Sequence, residues 1–272
     1  MKHWQDKLVL ITGAGSGIGK ALAHNMADCG ARLIITDINE QSLETAKQEL
    51  GNSVVLAKVA DNSNKEHWLE LASDIESQFG QLDVLVNNAG MSPFGFFDDT
   101  SEALFDKVMA VNFNSAVMGV RIMEPLLEKS QRGLIANVAS VFGVIAVPMM
   151  TSYHASKFAL RGFSEALMQD YKYQKKNIDV VCILPGGIKT NIANNAESDI
   201  ESTIDFAGHF NENALTTPER AAKVIEKGMR KKQARILIGP DARLIIWLQK
   251  WLPLSYSKIF NPLMGVNKLL AN

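Results

Sequence analysis

The fold is decided by residues 8–19, which read LVLITGAGSGIG, a short apolar run that leads directly into four glycines. An apolar run of this length that ends in a glycine cluster is typical of a buried strand followed by a tight turn. Beyond Gly19 the sequence continues with helical spacing to about Cys29. Glycines between a strand and a helix let backbone N–H groups approach a phosphate closely, and the helix N-terminus adds positive potential. The stretch therefore predicts a strand, a phosphate-binding turn and a helix.

Strand-like and helix-like segments alternate along most of the chain. Short apolar runs predict seven strands, near residues 8–11, 32–36, 54–56, 82–86, 133–138, 178–183 and 235–238. The segments between them predict helices at 41–50, 67–79 and 102–127, around Tyr153 and from Thr217 onward. Continuous apolar strands are expected where both faces of a parallel sheet are covered. We therefore predict an α/β fold, a doubly wound sheet of about seven parallel strands flanked by helices, in a single domain over residues 1–272.

The composition is that of an ordinary globular protein, with 272 residues of which 47% are hydrophobic and 21% charged. A formal net charge of −1 gives no reason to expect a nucleic-acid partner. The cysteines, Cys29 and Cys182, lie in apolar segments, and we expect buried thiols rather than a disulfide or a metal site, which favours a cytoplasmic protein. We expect no signal peptide in residues 1–7, and no window reaches the roughly 18 apolar residues of a membrane span.

An acid stands at the end of the second predicted strand. Asp37 lies near the sequence distance at which an acid binds the ribose hydroxyls of an adenine dinucleotide. Its carboxylate would repel a ribose 2′-phosphate, and neither residues 12–19 nor the positions just after Asp37 hold an arginine or a lysine. The sequence therefore favours NAD(H), with NADP(H) kept as the alternative. Helix capping is the competing role for Asp37.

A second informative segment is Tyr153-His154-Ala155-Ser156-Lys157. In a helix, residues four apart leave the same face, so Tyr153 and Lys157 would be neighbours. An ammonium group beside a phenol stabilises the phenolate. We therefore expect Lys157 to lower the pKa of Tyr153 from about 10 towards the range useful for acid–base catalysis. Taken alone, the spacing fits two helix-surface neighbours equally well.

Together, Thr12-Gly13-x-x-x-Gly17-x-Gly19 and Tyr153-x-x-x-Lys157 resemble the short-chain dehydrogenase/reductase family. Further motifs of that family occur in the same order on the predicted elements, over roughly residues 5–240: Asn87-Asn88-Ala89-Gly90, Asn112, Ser140, Pro185-Gly186 and Thr190. The resemblance implies a Rossmann-type fold and an enzyme that acts on CH–OH groups with NAD(P).

The resemblance also implies a catalytic tetrad of Asn112, Ser140, Tyr153 and Lys157. Tyr153 would exchange a proton with the substrate oxygen while hydride passes to or from the nicotinamide. Lys157 would lower the pKa of Tyr153 and bind the nicotinamide ribose, and Ser140 would donate a hydrogen bond to the substrate oxygen. Asn112 would hold a water that links Lys157 to solvent, through a local break in its helix.

The cofactor contacts implied by the resemblance are spread over six segments. Asp61 would lie near the adenine, although Asn62 replaces the family's usual small apolar residue, and Thr190 resembles the threonine that contacts the nicotinamide amide. The full set is Gly13, Ser16, Gly17, Ile18, Gly19, Asp37, Asp61, Asn62, Asn88, Ala89, Gly90, Tyr153, Lys157, Pro185, Gly186, Ile188 and Thr190. No His/Cys spacing predicts a metal site.

The segments expected beside the nicotinamide are apolar: residues 91–94, 141–142, 147–150 and 186–188. They favour an aliphatic, aromatic or steroid-like alcohol or ketone over a sugar. The polar stretch 191–215 corresponds to the family's mobile substrate loop, and we predict a lid there.

Residues 241–272 form an apolar extension. Its only acid is Asp241, against four cations, Arg243, Lys250, Lys258 and Lys268. Three roles are open: a helix over the substrate cleft, a subunit interface, and peripheral contact with a membrane surface. We expect Leu244, Ile245 and Leu248 to pack on a core, which favours the first two.

The predicted function is hydride transfer between NAD(H) and a secondary alcohol or ketone, with a hydrophobic substrate. One alternative is an NADPH-dependent ketoacyl-thioester or other carbonyl reductase, against which Asp37 counts. Another is a dinucleotide-sensing protein without catalysis, which could lose the tetrad that this chain retains. The predicted helices at 102–127 and 152–175 resemble the family's dimer-forming pair and imply a homodimer or homotetramer.

Overall fold

The computed structural model describes residues 3–199, residue 208 and residues 214–263, with the backbone alone for 260–263. Its centre is one sheet of seven strands in the order β3-β2-β1-β4-β5-β6-β7, and every pairing is parallel. The strands are β1 Leu8–Thr12, β2 Arg32–Asp37, β3 Val54–Val59, β4 Val84–Asn87, β5 Gly133–Val138, β6 Ile178–Pro185 and β7 Arg235–Ile238. The predicted doubly wound Rossmann-type fold is confirmed.

Nine helices occur in the described segments: α1 Gly17–Asp28, α2 Glu40–Leu50, α3 Lys65–Phe79, α4 Glu102–Met109, α5 Ser115–Glu128, α6 Thr151–Gln174, α7 Pro218–Arg230, α8 Pro240–Trp251 and α9 Tyr256–Leu263. The helix predicted over 102–127 consists of α4 and α5, joined by a π-helical turn at Ala110–Asn114. Side-chain caps explain several starts, since Asn39, Ser101 and Thr217 each accept a backbone N–H of the following helix.

The sheet is covered on both faces, which explains its continuous apolar strands. Along β1, Val9 and Ile11 point to the side of α1 and α7, whereas Leu10 points to the side of α3, α5 and α6. This alternation follows from the two-residue period of a strand. Each face thus buries its own core, and both cores depend on the same strands.

The order in which successive strands are added to the sheet reverses between β1 and β4, the neighbours at its centre. In sheets of this type, ligands bind outside the carboxyl ends of the strands at such a switch point. The glycine turn follows β1, the Asn87–Gly90 motif begins at the end of β4, and Ser140 follows β5. Topology alone therefore brings these three segments to one edge of the sheet.

The C-terminal extension differs from the expectation in one respect. Ile245 is buried and Leu248 half-buried, but the side chain of Leu244 is 51% exposed. The expectation that Leu244 packs on a core is wrong, because α8 contacts the domain through its Ala242–Ile245 face and Leu244 lies on the opposite face.

Three further observations concern the described residues. Cys182 is buried in β6, as expected, while Cys29 is only half-buried. No helix in the described ranges has the length and apolar character needed to cross a bilayer. Within the same ranges, no group of three or more His, Cys, Asp or Glu side chains is arranged to hold a metal ion.

Candidate active site

The turn between β1 and α1 requires glycine for steric reasons. Gly13 and Gly17 have φ of 65° and 53°, a region that L side chains avoid. A Cβ on Gly13 would lie 2.9 Å from Cα of Ala89, and a Cβ on Gly19 would overlap the carbonyl oxygen of Gly13. The turn is therefore packed tightly against both its own backbone and the segment that follows β4.

The start of α1 is open to an anion. Ser16 precedes the helix without a side-chain cap, and the first turn holds no acid. The side chain of Ile18 is partly buried against the core, which orients this turn. A methyl carbon of Thr190 would lie 3.3 Å from a Cβ on Gly17, so Thr190 lies beside the same turn. Helix N–H groups that no side chain satisfies are the usual binding site for a phosphate.

The Asn88–Ala89 pair holds the glycine turn in place. The amide nitrogen of Asn88 donates to the carbonyl oxygens of Thr12 and Gly13, at 2.8 and 3.1 Å. The backbone N–H groups of Asn88 and Ala89 both donate to the hydroxyl of Thr12, each at 3.0 Å. These residues thus stabilise the cofactor end of the site through the backbone.

Asp37 lies at the rim of the glycine turn. Its two carboxylate oxygens accept the N–H of Gly15 at 2.8 Å and the N–H of Asn39 at 2.9 Å. No cation pairs with Asp37 in the part of the chain that the structure describes. A carboxylate can accept about four hydrogen bonds, so two backbone contacts leave capacity for a ligand hydroxyl.

Asp61 and Asn62 follow the edge strand β3, two strands from the glycine turn. One oxygen of Asp61 accepts both the N–H and the hydroxyl of Ser63, at 2.8 and 2.7 Å. Asn62 is buried, and its carbonyl oxygen accepts the indole N–H of Trp68 at 2.8 Å. Asn62 therefore connects this loop to α3, while Asp61 closes a turn at the surface edge.

Asn112 sits in the π-helical turn and is buried. Its amide nitrogen donates to the carbonyl oxygen of Met91 at 2.9 Å and to the Ser156 hydroxyl at 3.1 Å, and its oxygen accepts the N–H of Met91 at 2.8 Å. A Cβ on Gly90 would lie 3.1 Å from Oδ1 of Asn112 and 3.5 Å from Nζ of Lys157. The predicted local break in the helix is present, and π-helical turns often occur at functional sites.

Lys157, Tyr153 and Ser140 meet at the centre of the site. The Lys157 Nζ donates to the carbonyl oxygen of Val138 at 3.0 Å and lies 5.6 Å from the centre of the Tyr153 ring. Ser140 accepts the N–H of Phe142 at 3.1 Å, and its side chain is hydrogen-bonded to that of Tyr153. All three side chains are buried. The structure thus brings the four residues of the predicted tetrad together.

The expected decrease in the pKa of Tyr153 is not what the structure shows. Burial raises the pKa of Tyr153 to about 12, and the hydrogen bond with Ser140 lowers it only in part. Burial also lowers the pKa of Lys157 to about 8, while the neighbouring Cys182 raises it. The expected net decrease in the pKa of Tyr153 is therefore not found, because burial outweighs the groups that lower it, and stabilisation of its phenolate by Lys157 stays a prediction.

Sequence reasoning did not assign a role to Asp241. One of its oxygens accepts the N–H of Gly187 at 2.6 Å, and a Cβ on Gly186 would overlap its carboxylate. The N–H of Gly186 donates to the carbonyl oxygen of Ile238 at 2.9 Å. Asp241 therefore positions the loop after Pro185 from the C-terminal helix. An acid just after a proline at a helix start was a visible capping signal, but its partner 54 residues away was not.

The rest of that loop is held by a second remote segment. Ile188 is buried and forms a parallel bridge with Thr216, and the N–H of Lys189 donates to the carbonyl oxygen of Thr216 at 2.9 Å. This places Ile188 in the core on the α1 side of the sheet and leaves Thr190 beside the glycine turn.

His154 is a second residue that sequence reasoning left without a role. It is buried, its Nε2 accepts the N–H of Val147 at 3.0 Å, and its Nδ1 lies 3.0 Å from the carbonyl oxygen of Phe142. An acceptor at Nε2 requires the neutral tautomer that carries its proton on Nδ1. Burial lowers the pKa of His154, which favours that neutral form. His154 thus fixes the position of the loop that leads to α6. In the sequence, only its position next to Tyr153 could have indicated a role.

The surroundings of Tyr153 are apolar, as predicted. One buried cluster contains Tyr153 together with Val141, Phe142, Ile145, Met150, Ala242 and Ile245. Two of these come from α8, so the C-terminal extension covers this part of the site. The ring of Phe142 meets that of Tyr153 edge to face, with centres 6.3 Å apart.

The first part of the predicted lid is attached to the segment after β4. Glu197 pairs with Pro93 in a parallel bridge, and its carboxylate contacts Lys107 at 2.8 Å. Asp199 accepts the N–H of Ser101 at 2.8 Å. Most of the remaining lid, residues 200–207 and 209–213, lies outside the described residues.

Comparison with known sequences agrees with this site. A family model described as short chain dehydrogenase matches residues 7–201. The putative oxidoreductase SadH of Mycobacterium tuberculosis is 37% identical over 264 residues, which is 95% of each chain. A dehydrogenase/reductase SDR family member 7B of Xenopus tropicalis is 31% identical over 260 residues, 92% of this chain and 83% of that protein.

Solved structures lead to the same result. A short chain dehydrogenase/reductase from Burkholderia phymatum in complex with NAD superposes with a TM-score of 0.84 at 26% identity, over 92% of this chain and 95% of that one. A 3-ketoacyl-(acyl-carrier-protein) reductase from Brucella melitensis complexed with NADH gives 0.74 at 26% identity, over 86% and 96%. The chain therefore belongs to the short-chain dehydrogenase/reductase family and is an oxidoreductase that acts on CH–OH groups with NAD(P).

Proposed function

We propose that the chain transfers hydride between NAD(H) and a secondary alcohol or ketone with an apolar skeleton. The observation that carries this proposal is the Tyr153 hydroxyl, hydrogen-bonded to Ser140 inside an apolar cluster, one helical turn from Lys157. A phenol and a serine hydroxyl can both reach one substrate oxygen, and apolar walls suit a substrate without further polar groups.

In the proposed reaction, Tyr153 moves the proton and Ser140 orients the substrate oxygen. The Phe142 N–H occupies an acceptor position of Ser140, so the serine proton is free to point towards Tyr153 or towards substrate. Burial keeps Tyr153 protonated at neutral pH. A protonated tyrosine can donate a proton to a carbonyl during reduction, and its phenolate can accept one from an alcohol during oxidation.

Asn112 and Lys157 complete the proposed tetrad. Asn112 holds the backbone of Met91 through both the oxygen and the nitrogen of its side-chain amide, and its contact with Ser156 links this segment to α6. Lys157 would stabilise negative charge on Tyr153 at the moment the proton leaves, since its Nζ already lies near the ring. We propose that Lys157 also binds the nicotinamide ribose.

The residues present fit a dinucleotide. The uncapped start of α1 can hold a diphosphate, Asp37 can bind ribose hydroxyls, and the loop after β6 closes towards the glycine turn through Thr190. When bound, NAD(H) would accept or supply the hydride. The proposed contacts are Gly13, Ser16, Gly17, Ile18, Gly19, Asp37, Asp61, Asn62, Asn88, Ala89, Gly90, Tyr153, Lys157, Pro185, Gly186, Ile188 and Thr190.

The proposed preference for NAD(H) rests on Asp37 and is tested by Asp37→Ala. The variant should bind NADH roughly tenfold more weakly and NADPH more tightly, because one repulsive charge is removed. Dissociation constants for both cofactors, measured by fluorescence titration, give the selectivity. Glu40→Ala removes a nearby exposed acid and is the matched control. Unchanged selectivity in Asp37→Ala would mean that Asp37 does not set the cofactor preference.

The proposed chemistry is tested by Tyr153→Phe, after a screen of secondary alcohols and ketones by NADH absorbance has identified a working substrate. The variant keeps the ring and loses the acid, so turnover should fall by about 10²–10⁴-fold while NADH binding changes little. Tyr173→Phe, on the exposed side of the same helix, should keep full activity. Full turnover by Tyr153→Phe contradicts the mechanism.

A further inference from the structure

The C-terminal part of the chain exposes four large apolar side chains within eleven residues. Leu244, Trp247, Trp251 and Leu254 are 51%, 58%, 64% and 89% exposed, and we refer to them as the C-terminal apolar face. Isolated exposed apolar residues are common, but tryptophan is usually well covered, and contiguous patches mark interaction sites. Nothing in the described residues covers this face.

The helix α8 has two apolar sides with different partners. Leu244, Trp247 and Trp251 are spaced by three and four residues, so they share one side of the helix. Ala242 and Ile245 lie on the opposite side, where they pack into the cluster around Tyr153. Packing of the domain therefore explains one side of α8 and leaves the other without a packing partner among the described residues.

The exposed charges on the segment that carries the face are positive, because the one acid of α8, Asp241, is turned inward to accept the N–H of Gly187. Arg243 and Lys250 lie on α8 and Lys258 on α9, and residues 242–272 contain no Asp or Glu. The Lys250 Nζ lies 5.6 Å from the ring of Trp251. The whole chain has a formal net charge of −1, so this local bias is not a general property of the protein. Exposed tryptophans and leucines bordered by cations are typical of helices that lie in the headgroup region of anionic bilayers.

We propose that the C-terminal apolar face binds the surface of an anionic lipid bilayer, with Trp247 and Trp251 at the level of the headgroups. A second copy of the chain is a poorer occupant, because a symmetric contact centred on this face brings Arg243, Lys250 and Lys258 of both copies together. If the proposed function holds, membrane docking also bears on the source of the substrate. The cluster around Tyr153 lies across the same helix, so docking suits an apolar alcohol or ketone dissolved in lipid.

The test is cosedimentation of the full chain with vesicles of phosphatidylcholine, with and without phosphatidylglycerol. Wild type should bind the anionic vesicles, and Trp247→Glu/Trp251→Glu should bind them roughly tenfold or more weakly. Leu69→Glu/Tyr173→Glu is the matched control, since it adds the same charge at two exposed apolar positions elsewhere. Arg243→Gln/Lys250→Gln keeps the tryptophans and should lose mainly the preference for anionic vesicles.

A spectroscopic measurement locates the contact. Trp4 and Trp68 are already buried, so a blue shift of tryptophan emission on vesicle addition reports Trp247 and Trp251. Absence of wild-type binding, equal binding by the double tryptophan variant, or equal binding to neutral vesicles would each overturn the proposal. So would a concentration-dependent dimer that shifts the emission without lipid. Turnover in vesicle-free buffer is measured separately, so a failure of lipid binding and a failure of the proposed function are distinguishable.

Discussion

The glycine turn and the surroundings of Tyr153 lie at the same edge of the sheet but are held by different kinds of contact. In the glycine turn, the positive φ of Gly13 and the close approach of Gly19 to the backbone of Gly13 mean that only glycine fits at these two positions. Around Tyr153, buried polar side chains bond to segments remote in sequence, as Asn112 does to Met91. The first arrangement follows from a short motif, whereas the second depends on how distant elements pack.

The largest effect is expected at the glycine turn, from Gly19→Ala. The new Cβ would overlap the carbonyl oxygen of Gly13, a backbone atom that cannot move without displacing the turn. We expect the free energy of unfolding to fall by about 3 kcal/mol and the affinity for NADH to fall more than tenfold. Urea unfolding and fluorescence titration measure the two quantities.

The control for this prediction is Gly162→Ala, in the interior of α6. A Cβ there would meet nothing within 4 Å. Alanine is the better helix former, so this variant should be more stable by about 0.5–1 kcal/mol. If both substitutions change stability alike, close packing of the glycine turn is not the reason for its glycines.

The next largest effect is expected from Lys157→Met, which removes a buried ionisable group beside Tyr153. The pKa of Lys157 in the fold is about 8, below its ordinary value of 10.5. Because the pKa of Lys157 is lower in the fold than in the unfolded chain, its contribution to the free energy of unfolding is fully present above pH 10.5. That contribution is lost as the pH falls through the folded value of about 8. Relative to Lys157→Met, wild type should therefore gain about 2 kcal/mol between pH 7 and pH 9.5.

Urea unfolding of both proteins at these two pH values measures the difference. The raised pKa of Tyr153 acts in the opposite direction only above pH 10, so it does not interfere in this range. Lys172→Met, at an exposed position of the same helix, should show no such dependence on pH. A flat difference for Lys157→Met would mean that its ammonium group is effectively solvated in the fold.

The fold and the cofactor end could be predicted from the sequence because their causes are local. Apolar runs of strand length gave seven strands, and the Gly13–Gly19 turn is a steric requirement that any chain with this conformation must meet. The hydrogen bonds from Asn88 to Thr12 and Gly13 are an exception, since they span 76 and 75 residues and only the family resemblance indicated them. Features that depend only on a short segment can be predicted without knowing how the rest of the chain packs.

Around Tyr153, the sequence predicted which residues form the site but not the pKa values of their side chains. The spacing of Tyr153 and Lys157 shows that they are neighbours, yet their pKa values depend on burial by elements more than 80 residues away, such as Ala242 and Ile245. Exposure of Leu244 was missed for the same reason, since the helical pattern does not show which side of α8 the domain covers. The homo-oligomer stays a prediction.

A smaller effect is expected from Asp241→Ala, which tests whether the remote contact matters. Removal of the carboxylate leaves the partly buried N–H of Gly187 without its acceptor and should cost about 1–2 kcal/mol of stability. The loop after Pro185 would also lose its position, so the KM for NADH should rise. Asp241→Asn keeps an acceptor and should retain most of both properties. If alanine and asparagine behave alike, the contact with Gly187 is not what positions the loop.

The smallest effect, about 1 kcal/mol, is expected from His154→Phe and depends on pH. At pH 7.5 wild type has both ring contacts, with Val147 and Phe142, so it should be the more stable protein. The pKa of His154 is lowered by burial, so its contribution is present above its ordinary value of 6.5 and is lost as pH falls through the folded value. The difference in urea unfolding between the two proteins should therefore shrink at pH 5.5.

The tautomer of His154 gives an independent check of that last prediction. Nitrogen NMR of the imidazole at pH 7.5 should show the proton on Nδ1 and a bare Nε2, because Nε2 accepts the N–H of Val147. The opposite tautomer would mean that the ring does not hold the loop before α6. In that case the Tyr153 end would depend on apolar packing alone, and the contrast with the backbone-bonded glycine turn would be sharper than the structure indicates.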